Sequence, residues 1–433
     1  MNLYTPADGL FGTHVTWADV EEDMQNGFDT DAYFGPNKYA TNIGEGNGFM
    51  SKIVLIDPDW QHKDKELPEK FIVKIVSQLA LQKVAAEMAE EKKIENRLNS
   101  SEFMATLEKT QKRLHNVEIT VYEHLRKLPT GKIPLAKIYH AKKFTESNPV
   151  KGYIIMEYLD NIKAVHIFEN VPLDSMKQIL RATANLEALS LRFTKEEKGF
   201  FSEKPFTEIF GEYFQEQMVQ SLMEMLRNFG NEVLADKTDE IEKILPDLLD
   251  LEAAELLPDE IGMKRVLCHG DLWSMNILWR DNGKHLDLAA LIDYQTAHMG
   301  CPASDLVRVF SSCLSAKDRR KHWEELVEDF YGYMEKEVGD AEMPYTLEQL
   351  KESYRQSFPL CAFMIVPAIG PLCDLLCRNP EDEKQKEYLS TATEKTECLL
   401  EDIIFYHERN MKLKEGEESE NQKNQSDGLL NGS

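Results

Sequence analysis

The chain has 433 residues, with 50 Lys and Arg against 76 Asp and Glu, for a net charge of −26. That length is about three ordinary domains of ~150 residues, and the composition, 42% hydrophobic and 29% charged, is globular. So acidic a surface repels phosphate backbones and anionic bilayers, so neither a nucleic acid nor a membrane is expected as a partner.

The first residues, MNLYTPADGLFGTH, lack the basic start and apolar run of a secretory leader. The uncharged run Pro359 to Cys373 is too short and too rich in Pro and Gly for a membrane span and predicts a buried helix and loop. Seven cysteines without a tight framework read as reduced thiols. Cys373 and Cys377 lie four apart, but no neighbouring His or Cys completes a zinc set. A cytoplasmic protein is the expectation.

In chain order, Lys52 to Ile56 (KIVLI) and Phe71 to Val76 (FIVKIV) are short β-branched runs that predict strands. From Ser77 to Val117 there is neither Gly nor Pro, and Phe103, Leu107, Leu114, Val117 and Val121 recur at helical spacing. This predicts a long helix or two joined ones. Lys137 to Ala141 and Gly152 to Tyr158 read as two further strands. The first 160 residues are thus expected to form a small β-rich lobe with a helical insertion over 77–117. Residues 161–411 are expected to be mainly helical, with amphipathic segments near 173–193, 205–229, 238–252, 318–338 and 347–358. One hairpin interrupts them, Leu278 to Arg280 and Leu288 to Ile292, closed by Asp281-Asn282-Gly283-Lys284. The polar residues 412–433 predict a disordered tail.

The chemistry concentrates in VLCHGDLWSMNILW, Val266 to Trp279, and LAALIDYQ, Leu288 to Gln295. Asp271 and Asn276 lie in a polar loop after an apolar run, and Asp293 ends the second hairpin strand. A hairpin returns its second strand beside its first, so Asn276 and Asp293 are expected to meet as oxygen ligands for a hard cation such as Mg²⁺. Asp271 then stands as a base for a hydroxyl proton, and one base with two metal ligands is the equipment of phosphoryl transfer. Either residue type alone is ordinary in a turn; the combined pattern is specific. Gly44, Gly46 and Gly48 precede the strand KIVLI and would let backbone N–H groups reach phosphate oxygens. A dinucleotide fingerprint needs a helix after its glycines, and here a strand follows, which argues against a reductase. Lys74 interrupts FIVKIV and is either an outward edge residue or a phosphate-binding lysine oriented by a carboxylate, Glu118 first and Glu123 second. In a two-lobed kinase the run GYIIMEYLDN meets the adenine edge near Glu157 to Leu159. In Gly300 to Leu306, Ser304 or Asp305 is expected to cap a helix.

Together these residues resemble the choline kinase and aminoglycoside phosphotransferase group, and within it the ecdysteroid-kinase-like (CHK kinase-like) branch, nematode members above all. The resemblance spans about residues 12–410 and implies an α+β protein-kinase-like two-lobed fold with ATP between the lobes and Mg²⁺ on the phosphates. It implies Asp271 as catalytic base, Asn276 and Asp293 as metal ligands, Lys74 on the phosphates with Glu118 pairing it, and His269 bracing the loop. The implied acceptor is a hydroxyl of a small molecule of steroid, amino alcohol or glycoside type. Two departures stand out: Lys74 and Glu118 lie 44 residues apart, and Glu187 stands where relatives often carry His in a Leu-His-Ala motif. Gly270 in place of the usual Arg, and no Ala-Pro-Glu segment after Asp293, argue against a protein kinase. A catalytically silent scaffold on the same fold is the other alternative. Phe206, Phe210, Tyr213, Phe214, Tyr354 and Phe363 are expected either to wall an acceptor pocket or to belong to the core. Oligomeric state is not legible.

Overall fold

The computed structural model describes residues 1–44, 50–83, 100–283, 285–377 and 382–430. It divides into two compact units, Met1–Ile162 with Ile292–Thr296, and Lys163–Leu291 with Ala297–Ser433.

Unit 1 opens with a helix, α1 (Trp17–Phe28), where only strands were expected. Its start is a capping box: Thr16 and Asp19 each bond the other's backbone N–H. Strands β1 (Tyr33–Phe34), β2 (Tyr39–Asn42), β3 (Ser51–Asp57), β4 (Trp60–Gln61), β5 (Phe71–Val76), β6 (Ile138–Lys142) and β7 (Tyr153–Glu157) follow. Five of them form an antiparallel sheet in the order β2-β3-β5-β7-β6. In β5 the two-residue alternation sends Phe71, Val73 and Ile75 into a core with Val20 and Met24 of α1, and Lys74 to the opposite face. Lys74 is therefore no edge residue: β5 lies centrally, between β3 and β7, and the side chain is buried.

Helix α2 (Ser101–Leu125) starts at Ser100, whose hydroxyl accepts from the Phe103 N–H. Gln111, Leu114, Glu118, Val121 and Leu125 share its buried stripe. The expected insertion over 77–117 thus overlaps the helix that carries Glu118. A helical stretch over 79–83 precedes it, and 84–99 lie outside the described residues.

Unit 2 holds β8 (Lys163–Ala164), α3 (Leu173–Ser190), α4 (Glu216–Leu248), α5 (Leu251–Glu260), β9 (Val266–Cys268), β10 (Ile277–Asp281), β11 (Leu286–Leu291), β12 (His298–Gly300), α6 (Ala303–Cys313), α7 (Ala316–Val338), α8 (Leu347–Phe363), α9 (Val366–Leu376) and α10 (Glu383–Leu430). The segments 205–229 and 238–252 are not two helices: a single helix, α4, crosses both, and Gly230 and Pro246 lie within it. The hairpin β10–β11 forms with a bulge at Leu278/Trp279, and β8 adds a third strand. Residues 347–373 are long and apolar enough to cross a membrane by composition, yet 67% of their most apolar stretch is buried in the protein. Helix α10 takes in the residues from Lys412, where the polar tail was expected to begin. An antiparallel sheet joined to one long helix, then a mainly helical unit with an embedded hairpin, is the α+β protein-kinase-like class expected.

Candidate active site

The chain leaves β11 at Leu291, and Ile292–Thr296 returns to unit 1. There Lys74 Nζ donates to Glu118 Oε1 and Oε2 at 2.9 and 2.7 Å and to Asp293 Oδ1 at 2.9 Å. One ammonium thus serves two carboxylates. Burial disfavours the Lys74 charge, but Asp293 and Glu118 overcome it and push the ammonium well above its usual range. Burial, with Asp293 adding to it, pushes Glu118 up to about 7 against the pull of Lys74. Asp293 itself sits at φ 66°, a left-handed conformation that Asp tolerates better than most residues and that recurs at functional sites. One turn beyond Glu118, Tyr122 packs edge-on against Tyr294 at 5.5 Å. Glu123, the second candidate, pairs with Lys143 at 2.9 Å instead.

In unit 2 the loop after β9 is held from α6. Asp305, fully buried, accepts from the His269 N–H at 2.6 Å and the Gly270 N–H at 2.9 Å. Arg308 Nη2 pairs with Asp271 Oδ1, and Ser312 Oγ accepts from the Ser274 N–H at 3.1 Å. These three are spaced i, i+3 and i+7, one face of a helix, and they take successive residues of the loop. Asp305 is therefore a clamp on the loop, not the helix cap expected; Ser304 Oγ donates to the Cys301 carbonyl at 2.9 Å. Gly270 has φ 83°, a turn that a side chain would strain, which accounts for the glycine beside Asp271. His269 Nδ1 accepts from the Asp271 N–H at 3.3 Å, which puts the ring proton on Nε2.

Asn276 Nδ2 donates to the Asp271 carbonyl at 2.8 Å and to Asp271 Oδ2 at 2.9 Å. Both bonds use the amide nitrogen, so the amide oxygen is the atom suited to a hard cation. The structure thus joins Lys74, Glu118 and Asp293 in one unit, and His269, Asp271 and Asn276 in the other. Gly44 sits where a Cβ would press on Ile53 at 2.9 Å; Gly46 and Gly48 lie outside the described residues. Glu157 closes β7, its N–H bonded to the Lys137 carbonyl at 2.8 Å, and Leu159 follows in the loop. Glu187 is fully buried and accepts from Tyr345 OH at 2.7 Å; burial pushes its carboxyl far above the usual range. Of the aromatics, Phe206 lines a cavity of about 120 Å³ beside α5 and α8, whereas Tyr354 and Phe363 are fully buried. Arg308 and Ser312 were missed by sequence reasoning, although Asp305, Arg308 and Ser312 share one face of a short, fully buried helix, which carries the signal.

The fold is of the protein-kinase-like class. The chain belongs to the family DUF1679, described as "Uncharacterized oxidoreductase dhs-27", whose model matches residues 3–411. It is 23% identical over 351 residues to the Caenorhabditis elegans "Uncharacterized oxidoreductase dhs-27", covering 78% of this chain and 40% of that protein. It is 22% identical over 244 residues to the "Uncharacterized kinase-like protein D1044.1" of the same organism, covering 56% of this chain and 61% of that protein. The chain therefore spans about half the length of these curated relatives. Among solved structures it is similar to a choline kinase from Cryptosporidium parvum, with TM-score 0.46, 11% identity, 88% of this chain and 90% of that one. It is also similar to a microcompartment-associated aminopropanol kinase, with TM-score 0.45, 16% identity and 89% and 99% coverage.

Proposed function

We propose that the chain is an ATP-dependent kinase that transfers the γ-phosphoryl group to a hydroxyl of a small metabolite. The observation that carries this reading is the Lys74–Glu118–Asp293 cluster, two carboxylates set on one buried lysine. Lys74 would release Asp293 and hold the α- and β-phosphates while Glu118 keeps its ammonium aimed. The backbone of Glu157 to Leu159 would take the adenine edge, and Gly44, Gly46 and Gly48 would cover the phosphates. Asp271 would accept the proton of the acceptor hydroxyl, its carboxylate oriented by Arg308 and Asn276. The oxygen donors of Asn276 and Asp293 fit Mg²⁺, which when bound would neutralise charge on the phosphates. His269 would brace the loop through its bond to the Asp271 amide. A steroid, amino alcohol or glycoside is the proposed acceptor class, and the cytoplasm the proposed compartment, with no membrane or nucleic-acid partner.

The word "oxidoreductase" stands in the family's description and in the name of a relative of which this chain covers 40%. A doubly wound dinucleotide-binding sheet is parallel, whereas every strand pairing among the described residues is antiparallel. That observation favours phosphoryl transfer over hydride transfer for this chain.

The test is ATP consumption with Mg²⁺ against pooled hydroxyl-bearing metabolites, read by mass spectrometry for a product one phosphoryl group heavier. Asp271→Asn is expected to keep nucleotide binding and lower turnover by ~10²–10⁴-fold, and Asp293→Ala to weaken Mg²⁺-nucleotide binding itself. Equal loss of binding in both variants would refute this division of roles. Neither product nor nucleotide binding in the wild type would favour the silent scaffold.

A further inference from the structure

The two cysteines set four apart in the sequence, which no zinc set completes, come together at the end of α9. Cys377 closes that helix: its N–H donates to the Cys373 carbonyl at 2.7 Å, while its own φ −105° and ψ 56° leave the helical range. A backbone bond from i+4 to i holds the two Cα atoms ~6 Å apart by helix geometry, inside the ~4.4–6.8 Å that a disulfide spans. Side chains four apart stand one above the other on a helix face. Here they meet, with Cys373 Sγ and Cys377 Sγ 3.5 Å apart. Neither is part of a disulfide.

Burial divides the labour between the two thiols. Cys373 is fully buried on a packed face of α9: Gly370, three residues earlier on that face, sits where a Cβ would press on Phe229 of α4 at 2.6 Å. Cys377 is half-buried, just past the last helical residue. A reagent from solvent therefore meets Cys377 first, and Cys373 is the thiol already in contact with whatever forms there. A buried cysteine that only fills space is inert; one whose sulfur lies against a solvent-reachable sulfur is not. Two thiols are too few for a closed metal site, and among the described residues no group of three or more His, Cys, Asp or Glu is placed to hold a metal ion. The chemistry left to the pair is thiol–disulfide exchange.

We propose that Cys377 and Cys373 form a reversible oxidation site that exchanges with a small disulfide such as oxidised glutathione. The Cys377 thiolate attacks one glutathione sulfur, the glutathione S–S bond breaks, and the departing thiolate takes up the proton that Cys377 gave up. Cys373, deprotonated in turn, attacks Cys377 Sγ and expels the second glutathione, which takes up the Cys373 proton. Two protein thiols are oxidised to one disulfide, and one glutathione disulfide is reduced to two thiols. The first step needs a collision from solvent, whereas the second joins groups already in contact, so the mixed disulfide is short-lived. A linkage with one half-exposed sulfur is of the labile kind that an added dithiol reverses.

Incubation of the reduced full chain with oxidised glutathione, an acid quench and alkylation under denaturing conditions, followed by tandem mass spectrometry, tests this directly. In the wild type the segment holding both residues should become two hydrogens lighter and escape alkylation at Cys373 and Cys377, and dithiothreitol should restore both thiols. Cys373→Ser removes the attacking thiol, so the glutathione adduct on Cys377 is expected to persist and to be about tenfold or more enriched over the wild type. Cys377→Ser changes a half-exposed residue and leaves the packed face intact; neither linkage nor adduct is expected at Cys373. The wild-type arm needs no variant to fold, and no arm needs nucleotide or turnover, so the outcome is independent of the phosphoryl-transfer reading. A lasting adduct on wild-type Cys377, no reaction there, an adduct on Cys373 in Cys377→Ser, or a linkage to Cys361 or Cys398 in place of Cys373 would each overturn the assignment.

Discussion

Replacing Asp305 with Ala removes the clamp on the loop that carries Asp271. The carboxylate accepts two backbone N–H groups, at 2.6 and 2.9 Å, and is fully buried. Hydrogen bonds to a charged group contribute ~1.5–3 kcal/mol each, so Asp305→Ala is expected to cost ~3–6 kcal/mol, a large part of a typical ~5–15 kcal/mol. Asp305→Asn keeps one acceptor oxygen and turns an N–H₂ towards the second amide, so about half of that loss or more is expected. Ser304→Ala, which removes one bond to the Cys301 carbonyl, should cost only ~1 kcal/mol. Urea unfolding gives the three values, and hydrogen exchange at the amides of His269 and Gly270 locates the effect. Asp305→Ala within ~1 kcal/mol of wild type, with those amides as protected as before, would refute the clamp.

Other outcomes follow from the same geometry. Lys74→Met leaves Glu118 and Asp293 without their shared cation and is expected to cost ~3–5 kcal/mol, measured by chemical denaturation; Glu118→Gln should cost less, because Lys74 keeps Asp293. Arg308→Met should lower turnover and leave nucleotide affinity, read by titration calorimetry, unchanged, since Arg308 pairs with Asp271, the proposed base. Burial pushes His115 from 6.5 down to about 4. Between those values the unfolded chain takes up a proton that the folded chain refuses, so stability falls as pH falls from 6.5 towards 4. At ~1.36 kcal/mol per pKa unit, the loss is bounded at about 3 kcal/mol. The urea midpoint of His115→Gln should be flatter across that window than that of the wild type, and identical slopes would contradict the assignment.

What was legible in the sequence was local. FIVKIV is β5 to the residue, and GYIIMEY and the Asn-Gly hairpin fall within a residue or two of β7 and of β10–β11. Periodicity and turn chemistry act over a few residues, and a sequence displays them openly. The pairing of Lys74 with Glu118 was open to inference because a lysine inside an apolar strand needs a carboxylate wherever it is buried. Helix α1 was missed, although Thr16 and Asp19 spell its capping box, because aromatic and acidic residues dilute the apolar stripe. Asp305 was read as a cap because its position in the first turn of α6 explains an acid locally. Only the folded backbone shows that two amides from 35 and 36 residues earlier are its partners. Nor does a local pattern reveal that Ile292–Thr296 leaves one unit for the other.

That five-residue excursion makes the chain indivisible. A fragment ending at Ile162 keeps Lys74 and Glu118 but not Asp293, and Tyr122 but not Tyr294. A fragment beginning at Lys163 carries Asp293 as an orphan, with its lysine left behind. Dissection at the obvious seam therefore leaves no piece that carries the whole Lys74–Glu118–Asp293 cluster. A single proteolytic nick near residue 291 or 297 should likewise disable the protein far more than its size suggests. Insertions and fusions are better tolerated elsewhere, such as the exposed turn at Asn282-Gly283, than at either crossing.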